Sequence, residues 1–463
     1  MRHQPEWQKT LLPWQGCSNK INANTMSADW RQIAIAIYDK VVATGQPDHV
    51  VRQALSQMNV ANISAVLAVG KAAIGMAQSA YQCGVQVDPD KALIIAPYSD
   101  QSDTAMMDQH NSLSWPLISS AHPVPDHNSL MAGQRASALC QSLADDDHML
   151  VLLSGGASAL MVNPQPPLTL ADKIILNERL LASGGDIHQI NAVRRLVSQI
   201  KGGRMARMTA PAQVTQLIIS DVDNDQLSSI ASGIMAANPM SLSEHLAVID
   251  SLGLNDLPFM PVLADQLAKD AMLAPLLPDD PVFEHVKSHI LASNRQMIHP
   301  GVISSVFAEN HDDDASPLPL ITDYPRLSGE ASQMGRRLAE ATISAVNSRK
   351  QPVIGITGGE TVVTLPADHG RGGRSQELAL AFALAMQDKN MPWLILAAGT
   401  DGRDGPTDAA GAILNSQMPL DKVAAEYALR HHDAWTILDQ MEGLFRPGAS
   451  GTNLADLVVI LAG

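Results

Sequence analysis

Short apolar runs alternate along this chain with segments whose apolar positions recur every three or four residues. Ala28–Thr44 has Ile33, Ile37, Val41 and Val42 at helical spacing, and Gln53–Met58 reads as a second helical piece. A repeating unit follows. Ile63–Val69 is a β-rich run stopped by Gly70-Lys71, and Ala72–Gln82 is helical. Ala92–Ala96, Leu117–Ser120, Met149–Leu153 and Gln216–Ser220 are further short runs. A helical stretch reaches about Leu143, and Ala157–Met161 follows a glycine turn. Such alternation predicts βαβ units and a parallel sheet, with ligands bound beyond the carboxyl ends of the strands.

Between Leu254 and Asp280 the pattern is broken by Pro258, Pro261, Pro275 and Pro278, with Pro281 just after, and an inter-domain connection is expected there. A second α/β pattern comes next. His289–Ala292 and Leu318–Ile321 read as strands and Glu330–Ser348 as a long helix. Val353–Thr357 and Thr361–Leu365 read as strands around a turn at Gly358-Gly359-Glu360. Ser375–Gln387 reads as a helix, and Trp393–Ala398 and Leu457–Leu461 as strands. The expected division is an extension at 1–27, an N-terminal domain at 28–280 and a C-terminal domain at 281–463.

Composition narrows the function classes. With 463 residues, 46% apolar and 17% charged, the chain has the length for two or three globular domains. A net charge of −16 argues against binding to nucleic acid or acidic membranes, and 3% aromatics leaves little for stacking single strands. No uninterrupted apolar stretch is long enough for a membrane span. Cys17, Cys83 and Cys140 are widely spaced, so a reducing cytoplasm is the expected compartment. Met1–Thr25 lacks the apolar core of a signal peptide and reads as a loose extension, with an upstream translation start as one source.

The P-loop, GxGxxG, HExxH, GxSxG and protein-kinase signatures are absent. What remains is a set of glycine-rich turns at predicted strand ends. Gly70-Lys71 places a cation at a strand–helix junction, either as an anion site or as a surface lysine. Ser154-Gly155-Gly156 with Ser158 lets a phosphate approach the backbone, or is an ordinary tight turn. Asp186–Arg204 carries Arg194, Arg195, Lys201 and Arg204 against one acid. Arg194, Lys201 and Arg204 share a face if one helix persists, although Gly202-Gly203 is placed to end it. The run Asp221-Val222-Asp223-Asn224-Asp225 lacks the glycine and glutamate of a calcium loop, and suits Mg²⁺ held with substrate phosphates or an Asx-rich turn. Gly370–Glu377 offers Arg371 and Arg374, whose planar forks match carboxylate or phosphate. Thr400–Asp408 adds Asp401, Asp404 and Asp408, and Gly448–Asn453 is a third such loop. Together these are the parts of a phosphoryl-transfer site.

VGKAA, AHPVPD, SGGASAL, NAVRRLVSQIKGGRMA, SDV followed by IASG, GGETVV, GRGGRSQELAL, GTDGRDGPTDAAGA and SGTNLADL occur in the order seen in the glycerate 2-kinase family. The chain resembles that family from about Ala28 onward, including its C-terminal MOFRL domain; older labels call such proteins hydroxypyruvate reductase. The resemblance implies a Rossmann-like N-terminal domain, a smaller α/β C-terminal domain and an active site in the cleft between them. It implies ATP- and Mg²⁺-dependent phosphorylation of D-glycerate to 2-phosphoglycerate. Lys71 and Arg374 fall on the family's catalytic positions, and Ser154, Gly155 and Gly156 near nucleotide or substrate. The remaining expected binding residues are Gly70, Ser158, Arg194, Lys201, Gly358, Gly359 and Glu360. Asp221 is the expected catalytic carboxylate, with Asp221, Asp401 and Asp404 as metal ligands. Partners are then D-glycerate and ATP, without nucleic acid or membrane, and a homodimer is left open. The chain departs from the family at Asn224 for Gly, Ile234 for Pro and Ser375 for Asn; Asn224 is a residue that tolerates positive φ. A reductase acting on hydroxypyruvate and a non-catalytic binding protein for a phosphorylated metabolite are the alternatives.

Overall fold

The computed structural model describes residues 23–98, 113–310 and 320–463. Residues 1–22 of the expected extension, and Leu318 and Pro319 of an expected strand, lie outside them. The chain divides into two compact units. One comprises 42–297 with 449–455; the other comprises the described residues up to Val41, 298–448 and 456–463.

In the first unit six strands form one sheet: β1 (Ala65–Val69), β2 (Ala92–Pro97), β3 (Leu117–Ser120), β4 (His148–Leu153), β5 (Gln213–Ser220) and β6 (Val286–Ser293). Their order is β3-β2-β1-β4-β5-β6 and every pairing is parallel. This is the doubly wound order with its switch point between β1 and β4. β1 is buried at all five positions, as a strand covered on both faces must be, which is why it reads as an unbroken apolar run. Leu67, Val69, Ile95, Val151 and Ile218 build the core on this sheet. Helices His127–Gln141, Leu170–Ala182, Ile187–Leu196 and Leu242–Ser251 each start at a capping box, on Asp126, Thr169, Asp186 and Ser241.

The second unit has strands β7 (Leu320–Ile321), β8 (Val353–Gly359), β9 (Trp393–Gly399), β10 (Gly411–Asn415), β11 (Leu444–Phe445) and β12 (Asp456–Ala462). Their order is β11-β10-β9-β12-β8-β7, antiparallel except for β7 with β8. Helices Ala331–Arg349 and Arg374–Met386 pack on it through Met334, Leu338, Leu378 and Phe382.

Several expectations are corrected. Val286–Ser293, placed by sequence in the C-terminal domain, is the edge strand of the first sheet; its alternating exposure reflects one solvated face. The proline-rich stretch is not the connection. Its helix Phe259–Lys269 buries Leu263 and Leu267 against Leu176, Leu180 and Val193. The N-terminal helix Ala23–Thr44 starts before Ala28, and its residues through Val41 belong with the second sheet. Thr361–Leu365 is not a strand; within it Val362 makes only an isolated bridge to Glu330. Strands β10 and β11 went unread. The basic segment is two helices, Ile187–Leu196 and Arg204–Thr209; the first ends at Leu196 with Val197 as its cap, so Gly202 and Gly203, at φ of 59° and 82°, lead into the second helix rather than ending the first.

Candidate functional site

At the carboxyl ends of β1 and β4 two turns interlock. The Lys71 N–H donates to the Gly155 carbonyl at 2.8 Å, and the Ala72 N–H donates to Ser154 Oγ at 3.0 Å. A Cβ on Gly70, at φ +129°, would lie 2.2 Å from Ser154 Oγ, so only glycine fits there. Beyond β5, Asp221 Oδ2 accepts from Asn453 Nδ2 at 3.2 Å. A Cβ on Gly155 would lie 1.9 Å from that same Oδ2; the missing side chain brings the Asp221 carboxylate against the turn. A Cβ on Gly156 would lie 3.3 Å from both the His122 ring and Lys71 Cγ, so these two side chains flank the turn. Gly70, Lys71, Ser154, Gly155, Gly156 and Asp221, expected separately from sequence, therefore form one cradle. His122 and Asn453 join it. Both sit in motifs visible in the sequence, AHPVPD and SGTN, without having been singled out.

After Asp221, Asn224 has φ 66°, the conformation its side chain tolerates. Asp225 accepts from Ser293 Oγ at 2.7 Å, while its Oδ1 is buried without a partner. Ile234 is a buried member of the core under the sheet.

The basic segment splits by role. Arg195 donates to the Ser228 carbonyl at 3.2 Å, and Arg204 donates to the Arg195 and Leu273 carbonyls at 2.8 Å each; these two tie the backbone together. Lys201 is 1% exposed, and its Nζ donates to Ser158 O at 2.9 Å and Oγ at 3.0 Å. The Ser158 hydroxyl also pairs with that of Ser232 at 3.0 Å. Burial pushes Lys201 well below the usual lysine range, and the charges of Lys173 and Arg194 push it further. Lys173 is 2% exposed and pushed down to about 8, by burial and then by Arg194. Burial also lowers Arg194. Lys173 was missed from sequence, although its spacing to Leu176 and Leu180 sets a lysine on the buried face of a helix.

In the second sheet polar residues meet where β8 and β9 end and β12 begins. Asp456, the first residue of β12, is in register with Gly359 of β8 and Gly399 of β9. Arg374 opens its helix there and grips Asp456 with two hydrogen bonds, Nε–Oδ2 at 2.6 Å and Nη2–Oδ1 at 3.0 Å, while Nη1 reaches Glu360. Burial works against the charge on Arg374, but Asp456 and Glu360 outweigh it and hold the guanidinium protonated. Burial raises Asp456 to about 6, opposed by Arg374. Asp404 accepts from the Ser375 and Gln376 N–H groups at 3.1 and 2.8 Å, so both its oxygens are committed to the start of that helix. Burial, then the charge of Asp456, raises Asp404 to about 7. Asp401 accepts from the Arg403 N–H at 3.0 Å. Tyr38 of the N-terminal helix donates to the Gly399 carbonyl at 3.1 Å. Gly358 and Gly359 lie inside β8 rather than in a hairpin turn. Asp456 was missed because its partner Arg374 is 82 residues away.

Among the described residues, no three His, Cys, Asp or Glu side chains gather as a metal site, and no helix is long and apolar enough to cross a membrane.

Comparison with known proteins fits this architecture. Residues 33–262 match the model of a domain of unknown function, DUF4147, and residues 353–456 match the MOFRL family. A protein of Agrobacterium vitis, provisionally named hydroxypyruvate reductase, is 33% identical over 95% of this chain and 96% of its own length. The D-glycerate 2-kinase of Thermotoga maritima is 32% identical over 93% of this chain and 97% of its own. The crystal structure of a glycerate kinase from Thermotoga maritima superposes with a TM-score of 0.76 at 30% identity, covering 94% of this chain and all of that one. By sequence along nearly its whole length and by fold, the chain belongs to the glycerate 2-kinase family.

Proposed function

We propose that this protein transfers the terminal phosphoryl group of ATP to the 2-hydroxyl of D-glycerate, giving 2-phosphoglycerate and ADP. The observation that carries this reading over a reductase is the saturation of the turn after β1. In a dinucleotide enzyme with this strand order, backbone N–H groups of that turn receive the pyrophosphate. Here Gly70 donates to the Ile95 carbonyl, Lys71 to that of Gly155, Ala72 to Ser154 Oγ and Ala73 to the Gly70 carbonyl. No N–H of this turn is left for a cofactor, and the charge of the turn is carried by the half-buried Lys71 side chain.

In the reaction the glycerate 2-hydroxyl oxygen bonds to the γ-phosphorus, the bond to the β-phosphate oxygen breaks, and the hydroxyl proton passes to a base. Catalysis of such a transfer rests on position and charge. Lys71 supplies positive charge to the moving phosphoryl group, from a stem held along Gly156. Arg374, kept protonated and oriented by Asp456, supplies a fork for carboxylate or phosphoryl oxygens. Asp221 is the carboxylate for Mg²⁺ or for the hydroxyl proton, and Asp401 is the second candidate. Asp221 stands against the side-chain-free Gly155, where its carboxylate meets the backbone of the turn. A Mg²⁺ ion held by Asp221 would offset negative charge on the phosphate oxygens.

A second reading, reduction of hydroxypyruvate, is favoured by the strand order, which dinucleotide enzymes share, and by the name given to the Agrobacterium relative. The deciding assay couples ATP and D-glycerate to enolase, with and without phosphoglycerate mutase. Signal without the mutase identifies 2-phosphoglycerate. Signal only with it places the phosphate on the 3-hydroxyl and refutes the proposal. NADH oxidation with hydroxypyruvate, and no ATP turnover, makes the protein a reductase.

A further inference from the structure

Arg374 stands between two carboxylates of opposite character. Asp456 takes the Nε and Nη2 side at 2.6 and 3.0 Å, with a side chain 4% exposed. Glu360 meets Nη1 beyond it, with a side chain 52% exposed. Among the described residues the Glu360 carboxylate has no other partner. Its backbone, in contrast, is fastened. The Glu360 N–H donates to the Leu327 carbonyl at 3.2 Å, and a Cβ on the preceding Gly359, at φ +140°, would lie 2.4 Å from that same oxygen. The main chain after β8 is therefore fixed, while the carboxylate stands on a long stem in water.

The two contacts differ in what it takes to break them. Removing Asp456 would strand a buried charge, which is strongly unfavourable. An exposed ion pair is weakened by water and by side-chain entropy, and shifts an equilibrium by about fivefold at most. A competing anion can overcome that. Arg374 also stays oriented when Glu360 leaves, because the bidentate grip of Asp456 sets the plane of the fork. Glu360 thus marks where on Arg374 an exchangeable carboxylate sits.

We propose that Glu360 is a specificity-determining residue, whose carboxylate covers Nη1 of Arg374 and gives way there to the carboxylate of D-glycerate. Charge favours an exchange of like for like. Arg374 and Asp456 cancel, so Glu360 leaves the cluster with a single negative charge, and a substrate carboxylate in its place leaves the same. A phosphoryl group brings more charge against Asp456, whose ionised form is already opposed by burial and by Glu360. A neutral polyol has no charge to exchange and leaves Arg374 closed by Glu360. This assignment rests on the phosphoryl-transfer reading above, and deepens it by naming the anion that the Arg374 fork takes and the group that this anion displaces.

The test is calorimetric titration of the full chain, its Glu360→Gln and Arg374→Ala variants and the doubly substituted protein with D-glycerate and AMP-PNP. Glutamine keeps the length of the side chain and removes its charge. Glu360→Gln should bind D-glycerate about two- to fivefold more tightly, with AMP-PNP affinity unchanged. The gain should vanish when Arg374→Ala is added, because it runs through the guanidinium. The proposal is overturned if Glu360→Gln binds D-glycerate equally or less well, if it tightens AMP-PNP as much, or if the gain persists without Arg374. The two levels separate cleanly. Where the unsubstituted protein phosphorylates D-glycerate with ATP, the lack of a gain in Glu360→Gln removes the exchange and keeps the kinase. A gain that depends on Arg374, without ATP-dependent turnover of glycerate, keeps the exchange and removes the kinase. Failure of the unsubstituted protein and of Glu360→Gln to bind D-glycerate removes both.

Discussion

Lowering the pH from 7 to 5 should destabilise the first unit through His245. This ring is 1% exposed and both its nitrogens are engaged. Nδ1 lies 2.8 Å from the Ser241 carbonyl, which fixes it as the donor, and Nε2 lies 3.2 Å from Asn238 Nδ2 and accepts. The Asn238 amide cannot readily turn round, because its Oδ1 already accepts from the Met240 N–H at 3.3 Å. A second ring proton would therefore point at a donor, and it would add charge beside Arg195 and Arg204. Burial first, then these two arginines, lowers His245 to about 4, against the favourable pull of Ser241 and Glu244. The unfolded chain takes up the proton near pH 6.5 and the folded chain only near 4. Stability is thus fully present above about 6.5 and falls as the pH drops toward 4. At about 1.4 kcal/mol per pKa unit the whole effect is about 3 kcal/mol, of which about 2 kcal/mol falls between pH 7 and 5. That amounts to about 5 °C in melting temperature for a unit of this size. The assay is thermal unfolding of the protein and its His245→Gln variant at both pH values. Glutamine can make the same two hydrogen bonds and does not titrate. Other histidines lowered by burial, His148 and His285, cancel in the comparison. The reasoning fails if protein and variant lose the same stability between pH 7 and 5.

Further substitutions test the site. Lys71→Ala and Arg374→Ala should each lower turnover by orders of magnitude with an unchanged circular dichroism spectrum; near-normal turnover removes that residue from the mechanism. Gly155→Ala puts a methyl group 1.9 Å from Asp221 Oδ2. It should cost about 1–3 kcal/mol in urea unfolding and abolish turnover through displacement of that carboxylate. Asp404→Asn takes one acceptor from the helix start and should cost about 1–2 kcal/mol, leaving the Mg²⁺ dependence of turnover as it was. A changed Mg²⁺ dependence would return Asp404 to the metal.

The parallel sheet was legible because β1, β2, β4 and the inner part of β5 are buried on both faces and appear as apolar runs, closed by Gly70 after β1, by Ser154-Gly155 after β4 and by Asp221 after β5. The glycine turns were legible for the same reason, standing where those runs stop. What stayed hidden depends on pairing over distance. β6 looks half-polar because it is an edge, and nothing local says that it adds to β5. Asp456 is one acid before an apolar run until Arg374 is placed on it. The four cations of Asp186–Arg204 look alike in sequence, and only their partners separate Arg195 and Arg204, which tie distant carbonyls together, from Lys201, which is held on Ser158.

The small piece 449–455 gives the chain an unusual dependence on its own far end. Its Thr452 hydroxyl donates to the Gly45 carbonyl at 2.7 Å, its Ser450 carbonyl accepts from Gln46, and its Asn453 holds Asp221. A gene cut after Met297 would encode all six strands of the first sheet, yet omit the strap that fastens both its entry and its acidic turn. Similarity over 33–262 and 353–456 therefore marks inherited sequence, not detachable modules. During synthesis the acidic turn must wait for a segment 232 residues downstream before it is held, which places the completion of the site after strands β7 to β11 have been made.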